Sequence, residues 1–377
     1  MNILVVRFGE IGTKSSHVRR KMIKVLRQRI EDRIENEEID YNQVSAYYSR
    51  IIVETCEASE AAEHVSEIPG VSNVSPAYRT EPDIPSIKKE VQKLEIGETF
   101  GVDSNRSGRQ EFDTQDLNTE IGSYIEELTG ASVDLDNPDT WVEIDVRDDE
   151  AYIFKERFEG PDGYPVGTQG SYAALVSGGI DSPVAAYRMM VRGADIVPIY
   201  FYNKPIAAED HLLRFKSSVS ELKKYNPSKD WEFYRVDMEE VNETLLSIDR
   251  GRMVVHRMVM MKVAEKIAER EGLQGMVTGE SLGQKSSQTA SNIELTSSTV
   301  SKPVLRPLLT ESKNSIVEQA KEIDTFEKAE IDSACRSMSP ENPATSINEE
   351  DLEVLKSKVD VEKMAENALR NSEKTSF

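Results

Sequence analysis

Cysteine is nearly absent. The 377 residues hold two, Cys56 and Cys335. Two cysteines build no disulfide framework. They also cannot supply a four-cysteine zinc site or a cysteine-ligated iron–sulfur cluster within one chain. Long apolar runs are missing as well: nothing approaches the ~20 residues that span a bilayer. The N-terminus, MNILVVRFGEIG, lacks a cationic leader and a cleavage pattern, and reads as strand and turn. The expectation is a cytoplasmic protein with no membrane segment. Positive charge is outweighed, 46 Lys and Arg against 68 Asp and Glu, for a net charge of −22. Dense carboxylates keep a surface hydrated, as suits a salty cytoplasm, and taken alone argue against a nucleic-acid partner. Two glycine-rich phosphate signatures are also missing: the GxxxxGK[ST] of Walker loops and the GxGxxG of dinucleotide binders.

What is present is unevenly placed. A chain of this length predicts two or three domains. Residues 7 to 33 carry nine cations, among them Arg7, Lys14, Arg19, Arg20, Lys21 and Lys24, against Glu10, Glu31 and Asp32. A basic patch on an acidic chain marks a local polyanion site, or else the solvated face of a helix. Residues 3–8 read as a strand, 18–34 as a helix with Ser15 or Ser16 as cap, and 49–55 as a second strand. Helical spacing recurs over 84–94, and over 114–128 with Thr114 as cap. The stretch GPDGYPVGTQGS (160–171) lacks periodicity and is the best linker in the chain. After it, strands alternate with helices: 173–177, 183–192, 194–202, 210–225, 231–238, 251–270 and 275–279. That order predicts a mostly parallel sheet with helices on both faces, and ligands at the carboxyl ends of its strands. The tail from Asn348 reads as a charged amphipathic helix.

The first strand of that sheet runs into Ser177-Gly-Gly-Ile-Asp-Ser182, followed by Pro183. Glycines bring backbone N–H groups close to an anion. Ser182 can cap the helix, Pro183 suits its first turn, and the helix N-terminus favours negative charge. The loop therefore reads as a phosphate or pyrophosphate cradle rather than a plain strand–helix turn. An aspartate inside a phosphate cradle makes sense if Asp181 holds Mg²⁺ or positions a leaving pyrophosphate.

SGGxDS after a strand resembles the signature of the PP-loop ATP pyrophosphatases, which cleave ATP between the α and β phosphates to adenylate a substrate. Val277-Thr-Gly-Glu-Ser-Leu-Gly-Gln-Lys-Ser-Ser-Gln-Thr289 resembles the second nucleotide motif of the tRNA 4-thiouridine synthetases, the thiamine-biosynthesis and tRNA-thiolation sulfurtransferases. Phe8-Gly-Glu-Ile-Gly12 with Lys14 is similar to that family's ferredoxin-like domain. Asn105-Arg-Ser-Gly-Arg-Gln-Glu-Phe112, Asp116 and Val133–Asp139 are similar to its THUMP RNA-binding domain. The resemblance covers nearly the whole chain in the family's order. It implies a multidomain α/β protein: a ferredoxin-like α+β domain at 1–58, a THUMP domain at 59–162, a linker at 163–171, and at 172–377 a Rossmann-like, doubly wound PP-loop domain with a C-terminal helix.

The function implied is ATP-dependent thiolation of a tRNA uridine, at position 8 by family. Uridine O4 is adenylated and sulfur then displaces AMP. The loop supplies Ser177, Gly178, Gly179, Asp181 and Ser182 as expected ATP contacts, and the resemblance places further ones at Leu175, Val176, Tyr200, Phe201, Arg257, Gly279 and Gln288. It implies Mg²⁺, with Asp181 a candidate ligand, tRNA contacts at Lys14, Arg19, Arg20, Arg106 and Arg109, and a homodimer. Asp181 and Cys335 are the candidate catalytic residues, Cys335 in sulfur transfer. Lys285 stands where a small apolar residue is expected. Longer family members carry a C-terminal rhodanese domain, and some short ones a CxxC with a further cysteine. This sequence has neither pattern, so the expected sulfur donor is external, a cysteine desulfurase persulfide or sulfide. Two other readings stay open at this point: a PP-loop enzyme with a different acceptor, and a non-catalytic THUMP protein that only binds RNA.

Overall fold

The computed structural model describes residues 1–203, 209–227, 231–248, 250–327, 344–347, 351, 355 and 359–376. The chain falls into two compact units, Met1–Gly163 and Tyr164–Phe377.

Unit 1 begins with β1 (Ile3–Arg7), whose first four residues are buried apolar side chains. α1 (Ser16–Asn36) follows, with Met22, Ile23, Leu26, Ile30 and Ile34 on one buried stripe and Arg20, Lys21 and Lys24 exposed. That spacing is the helical period. β2 (Gln43–Ala46) and β3 (Arg50–Glu54) form a hairpin, α2 (Ala58–Ser66) packs on β1, and β4 is Asn73–Thr80. A domain boundary drawn between residues 58 and 59 therefore falls at the start of α2. α3 (Ile84–Val91), β5 (Thr99–Arg106), α4 (Thr114–Thr129), β6 (Ser132–Val133), β7 (Thr140–Val146), β8 (Ala151–Phe154) and β9 (Phe158–Glu159) complete the unit. The cap of α4 is Asp113, not Thr114. Its carboxylate accepts from Asp116 N, the Asp116 carboxylate accepts from Asp113 N, and Gly130 ends the helix at φ 74°. One sheet runs β2-β3-β1-β4-β8-β7-β5-β6, with β9 on β4. β4 is thus common to a four-stranded first half and the strands that follow.

The Gly- and Pro-rich crossing is not slack. Gly160 N and Asp162 N donate to Ser72 and Val71 carbonyls in unit 1. Beyond the boundary, Tyr164 N donates to Val191 O, and Gly167 N and Gln169 N both donate to Gly193 O in unit 2. Tyr164 and Val166 are buried there. Backbone groups that find partners on each side hold such a segment in place despite its composition.

Unit 2 contains β10 (Ser171–Leu175), α5 (Asp181–Val191), β11 (Asp195–Tyr202), α6 (Glu209–Lys223), β12 (Glu232–Asp237), α7 (Glu239–Leu246), α8 (Arg252–Arg270), β13 (Gly275–Val277), α9 (Ala290–Ser298), β14 (Val304–Leu305), α10 (Lys313–Glu322), α11 (Val361–Arg370) and β15 (Ser372–Ser376). The sheet order is β14-β13-β10-β11-β12-β15. All neighbours are parallel except β12 and β15. Strand alternation divides two cores. Ala174, Ile196 and Tyr200 pack with α5, α6 and α10, while Ala173, Ile199 and Phe201 pack with α7, α8 and α11. From β10 the chain proceeds to β11 and β12 on one side, then returns to β13 and β14 on the other. The carboxyl ends of β10 and β13 therefore flank a topological switch point, where open α/β sheets bind ligands.

The tail corrects the expectation of a single terminal helix. α11 stops at Arg370, and Ser372–Ser376 pairs antiparallel with β12.

Candidate nucleotide site and its surroundings

The loop after β10 and the loop after β13 meet at this switch point. Gly279 shows why no side chain fits there: a Cβ would stand 2.8 Å from the Asp181 carbonyl carbon and from Ser182 N and Cα. Close approach of two backbones requires glycine. Ser182 does not cap α5. The helix starts at Asp181, and Ser182 Oγ instead accepts from Ser177 N at 2.8 Å and lies 3.0 Å from Ser177 Oγ. Gly179 N donates to Ser177 Oγ at 3.2 Å. The two serines thus fold the loop back on itself; Pro183 has no N–H, and Asp181 N and Ser182 N precede the first intrahelical bond of α5. They are available to an anion, with the helix dipole behind them.

Around the loop lies a cavity of about 500 Å³. Its lining includes Leu175, Ser177, Gly178, Gly179, Asp181, Ser182, Tyr200, Phe201, Arg257, Gly279 and Gln288. Residues spread over more than a hundred positions are brought to one place. Val176 is the exception among the sequence candidates. It is buried in the core beside Tyr200, its amide donates to Ile199 O, and it is not among the lining residues. The Tyr200 ring packs on Phe215 at 4.7 Å between centroids, so its aromatic body belongs mainly to the core.

The structure adds partners that no motif announced. Lys313 Nζ donates to Asp181 Oδ1 across 132 positions of sequence. The aspartate in the cradle is therefore paired with a cation, which removes the electrostatic objection to it. Arg257 Nη1 donates to Glu280, and Arg306 Nε donates to the other Glu280 oxygen at 2.7 Å. Gln288, with its amide oriented to satisfy both neighbours, donates to Ser281 O at 2.9 Å and accepts from Arg257 Nη2 at 3.0 Å. His256, also lining the cavity, is buried, and its Nε2 lies 3.0 Å from Asn203 Oδ1. Burial, then the neighbouring Arg257 charge, push its pKa down to about 4. Lys285 lines the cavity too. Only residue types were visible for these positions in the sequence; their pairing depends on contacts between distant segments.

Among the described residues Mg²⁺ does not find a ready protein site. Asp181 is charge-paired with Lys313, and among the described residues no group of three or more His, Cys, Asp or Glu is placed to hold a metal. Mg²⁺ tolerates a single carboxylate when substrate phosphates supply further oxygens, so the described residues suit it as part of a Mg-nucleotide.

The expected RNA contacts divide into two groups. Lys14 lies two residues ahead of α1 and Arg20 is exposed in its first turns, while Arg19 is buried, donates to Gly12 O and stacks 3.7 Å over the exposed Tyr48 ring. Arg106 donates to the Gly108 and Gln110 carbonyls and shapes its loop, while Arg109 is exposed. β5, which carries Arg106, is four strands along the sheet from β1, roughly 19 Å at ~4.8 Å per strand. Cys335 lies outside the described residues; Cys56 is exposed.

Comparison with known proteins agrees with this arrangement. The family model for "Thiamine biosynthesis protein (ThiI)" matches residues 167–361, that for the THUMP domain residues 78–156, and that for the ThiI ferredoxin-like domain residues 3–75. The chain belongs to the ThiI family. A Halobacterium salinarum protein named "Probable tRNA sulfurtransferase" is 36% identical over 352 residues, covering 91% of this chain and 90% of that one. A Methanocaldococcus jannaschii protein of the same name is 34% identical over 374 residues, covering 94% and 97%. A solved 4-thiouridine synthetase in complex with RNA and bound ATP superposes with a TM-score of 0.87, at 29% identity and over 100% of both chains. ThiI membership carries the ferredoxin-like, THUMP and PP-loop fold classes together.

Proposed function

We propose that this chain is an ATP-dependent tRNA sulfurtransferase that makes 4-thiouridine. The observation that carries the reading is the meeting of the SGGIDS and TGES loops over one cavity, with Arg257 and Gln288 in its lining. The relatives' names and the ATP and RNA of the solved neighbour support it.

In this reading unit 1 docks the tRNA through the exposed cations of α1 and the loop around Arg106 and Arg109. Phosphate and ribose contacts position an RNA by shape more than by sequence. Unit 2 binds Mg-ATP, with the first turn of α5, Arg257 and Lys313 facing its phosphates. Uridine O4, at position 8 by family, attacks the α-phosphorus and the α–β bridging bond breaks, releasing pyrophosphate. Fixed donors stabilise the charge that grows on the leaving group. Asp181 keeps Lys313 at the cradle. Hydrosulfide, or the terminal sulfur of an external persulfide, then attacks C4 and AMP departs. With a persulfide donor, Cys335 thiolate attacks the resulting disulfide and frees the thiouridine. The mixed disulfide left on Cys335 is reopened by a dithiol. We place the protein in the cytoplasm and expect a homodimer, as the family resemblance implies; among the described residues no helix is long and apolar enough to cross a membrane.

The test uses purified protein, an unmodified tRNA transcript, Mg-ATP and sulfide, with nucleoside analysis for 4-thiouridine. Thiouridine with stoichiometric AMP and pyrophosphate is expected. Cys335→Ser should retain this with sulfide and lose it with a persulfide donor. Pyrophosphate without thiouridine would point to another acceptor, and no pyrophosphate to an RNA-binding protein without catalysis.

A further inference from the structure

Glu280 is one of the least exposed charged residues in unit 2, at 2%. A carboxylate taken out of water is unfavourable unless cations and hydrogen-bond donors surround it. Here three donors converge. Arg257 Nη1 reaches Oε1, while Arg306 Nε at 2.7 Å and Thr278 Oγ1 at 3.0 Å reach Oε2. The two arginines come from different elements, Arg257 from α8 and Arg306 from the end of β14. Arg306 is anchored further by Ser297 Oγ at 2.9 Å. Arg257 is gripped a second time, through Nη2, by Gln288 at 3.0 Å. Arg257, Glu280 and Gln288 line the cavity, and Arg306 stands behind them. Two guanidiniums around one carboxylate leave an excess positive charge at the wall of a cavity that also holds the SGGIDS loop.

We propose that Glu280 is a positioning residue for Arg257. It holds one guanidinium nitrogen while Gln288 holds another, so the cation meets a nucleotide phosphate in a fixed orientation instead of sweeping through its rotamers. Arg306 is the counterweight: it neutralises the second carboxylate oxygen and ties the assembly to β14 and α9. The inference rests on the reading of the cavity as an ATP site. Preorganised cations act on a developing charge without having to reorganise during the reaction, and that preorganisation is what Glu280 supplies.

A double-mutant cycle tests this, with Glu280→Gln, Arg257→Ala and the pair. Each is read as kcat and KM for pyrophosphate release with Mg-ATP and tRNA, beside a thermal melt. Losing one charge-assisted hydrogen bond predicts a fall of about tenfold or more in kcat/KM for Glu280→Gln. The paired variant should be no worse than Arg257→Ala alone, within about twofold, because interactions in one network are not additive. Multiplying losses would mean that Glu280 acts independently of Arg257 and would overturn the proposal. So would a variant that melts lower yet keeps wild-type kcat/KM, since that is a structural role only. Glu280→Asp keeps the charge but withdraws the carboxylate by one methylene, and should show the same coupling. Should neither variant fold, Thr278→Val takes the place of Glu280→Gln in the cycle: a smaller loss that vanishes beside Arg257→Ala supports the proposal, and a loss that multiplies overturns it. Wild-type protein that fails to bind Mg-ATP would sink the ATP reading itself, an outcome distinct from any result of the cycle.

Discussion

His256 lies inside unit 2 at 1% exposure, beside Arg257 and against Asn203. Its pKa of about 4 in the folded protein contrasts with the ~6.5 of an unfolded histidine. Between those values the unfolded chain binds a proton that the folded chain refuses. The stability contribution is therefore fully present above about pH 6.5 and is lost as pH falls toward 4. From pH 7 to pH 5 the loss amounts to about 2 kcal/mol. Urea midpoints of wild type and His256→Asn at these two pH values measure it. The wild type should lose more than the variant, and parallel losses would mean that folding leaves the pKa of His256 where it is in the unfolded chain. At this same scale, Ser177 to Ser182 are legible in the sequence because every residue of the cradle lies within six positions. Lys313, Arg306 and Glu280 are not, since a charged residue on a helix or at a strand end looks like surface until its partner is placed beside it.

Among the described elements, β15 is one whose type the sequence misstates. SEKTS is short and polar, and following a charged helix it reads as more of the same. Its backbone settles the matter by pairing with five residues of β12. Lys374 adds ion pairs to Glu232 at 3.0 Å and Glu271 at 3.1 Å. Strand β12 would otherwise present an open edge, which invites pairing between chains. A chain ending at Asn371 should lose about 1–3 kcal/mol, from the ladder hydrogen bonds and these ion pairs. It should also scatter light at concentrations where the full chain does not. An unchanged melting temperature together with clear solution would show that β15 contributes nothing to the sheet. α5 and α8 are legible as helices, with ends at most two residues away from those expected, because apolar spacing survives tertiary packing. The caps of α4 and α5 are not legible: loop geometry around Asp113 and Ser182 chooses which side chain faces which amide.

At the scale of the whole molecule, each unit has its own sheet and its own apolar core. The fragment Met1–Gly163 should fold by itself, give one cooperative melt and bind the tRNA transcript. Four exposed cations on α1 (Arg20, Lys21, Lys24 and Arg27) dominate its basic face. A footprint of about four phosphates on α1, or about six with Arg106 and Arg109, predicts a slope between about −3 and −5 in log affinity against log salt. A much steeper slope would require a larger footprint than these residues provide, and no binding would shift RNA recognition away from this unit.

Composition, the local order of motifs and the alternation of strand and helix were enough to determine the family, the two kinds of sheet and the place of the SGGIDS loop between a strand and a helix. These signals are carried by neighbours in sequence, and the backbone rules that decode them act over a few residues. Only the tertiary structure decided that Asp181 is paired with Lys313, that Val176 belongs to the core, that the glycine-rich crossing is tied down at both ends, and that Glu280 binds two arginines. Each of these depends on which distant side chains exclude water together. The energy of a buried charge is set by its partners and not by its neighbours in the chain.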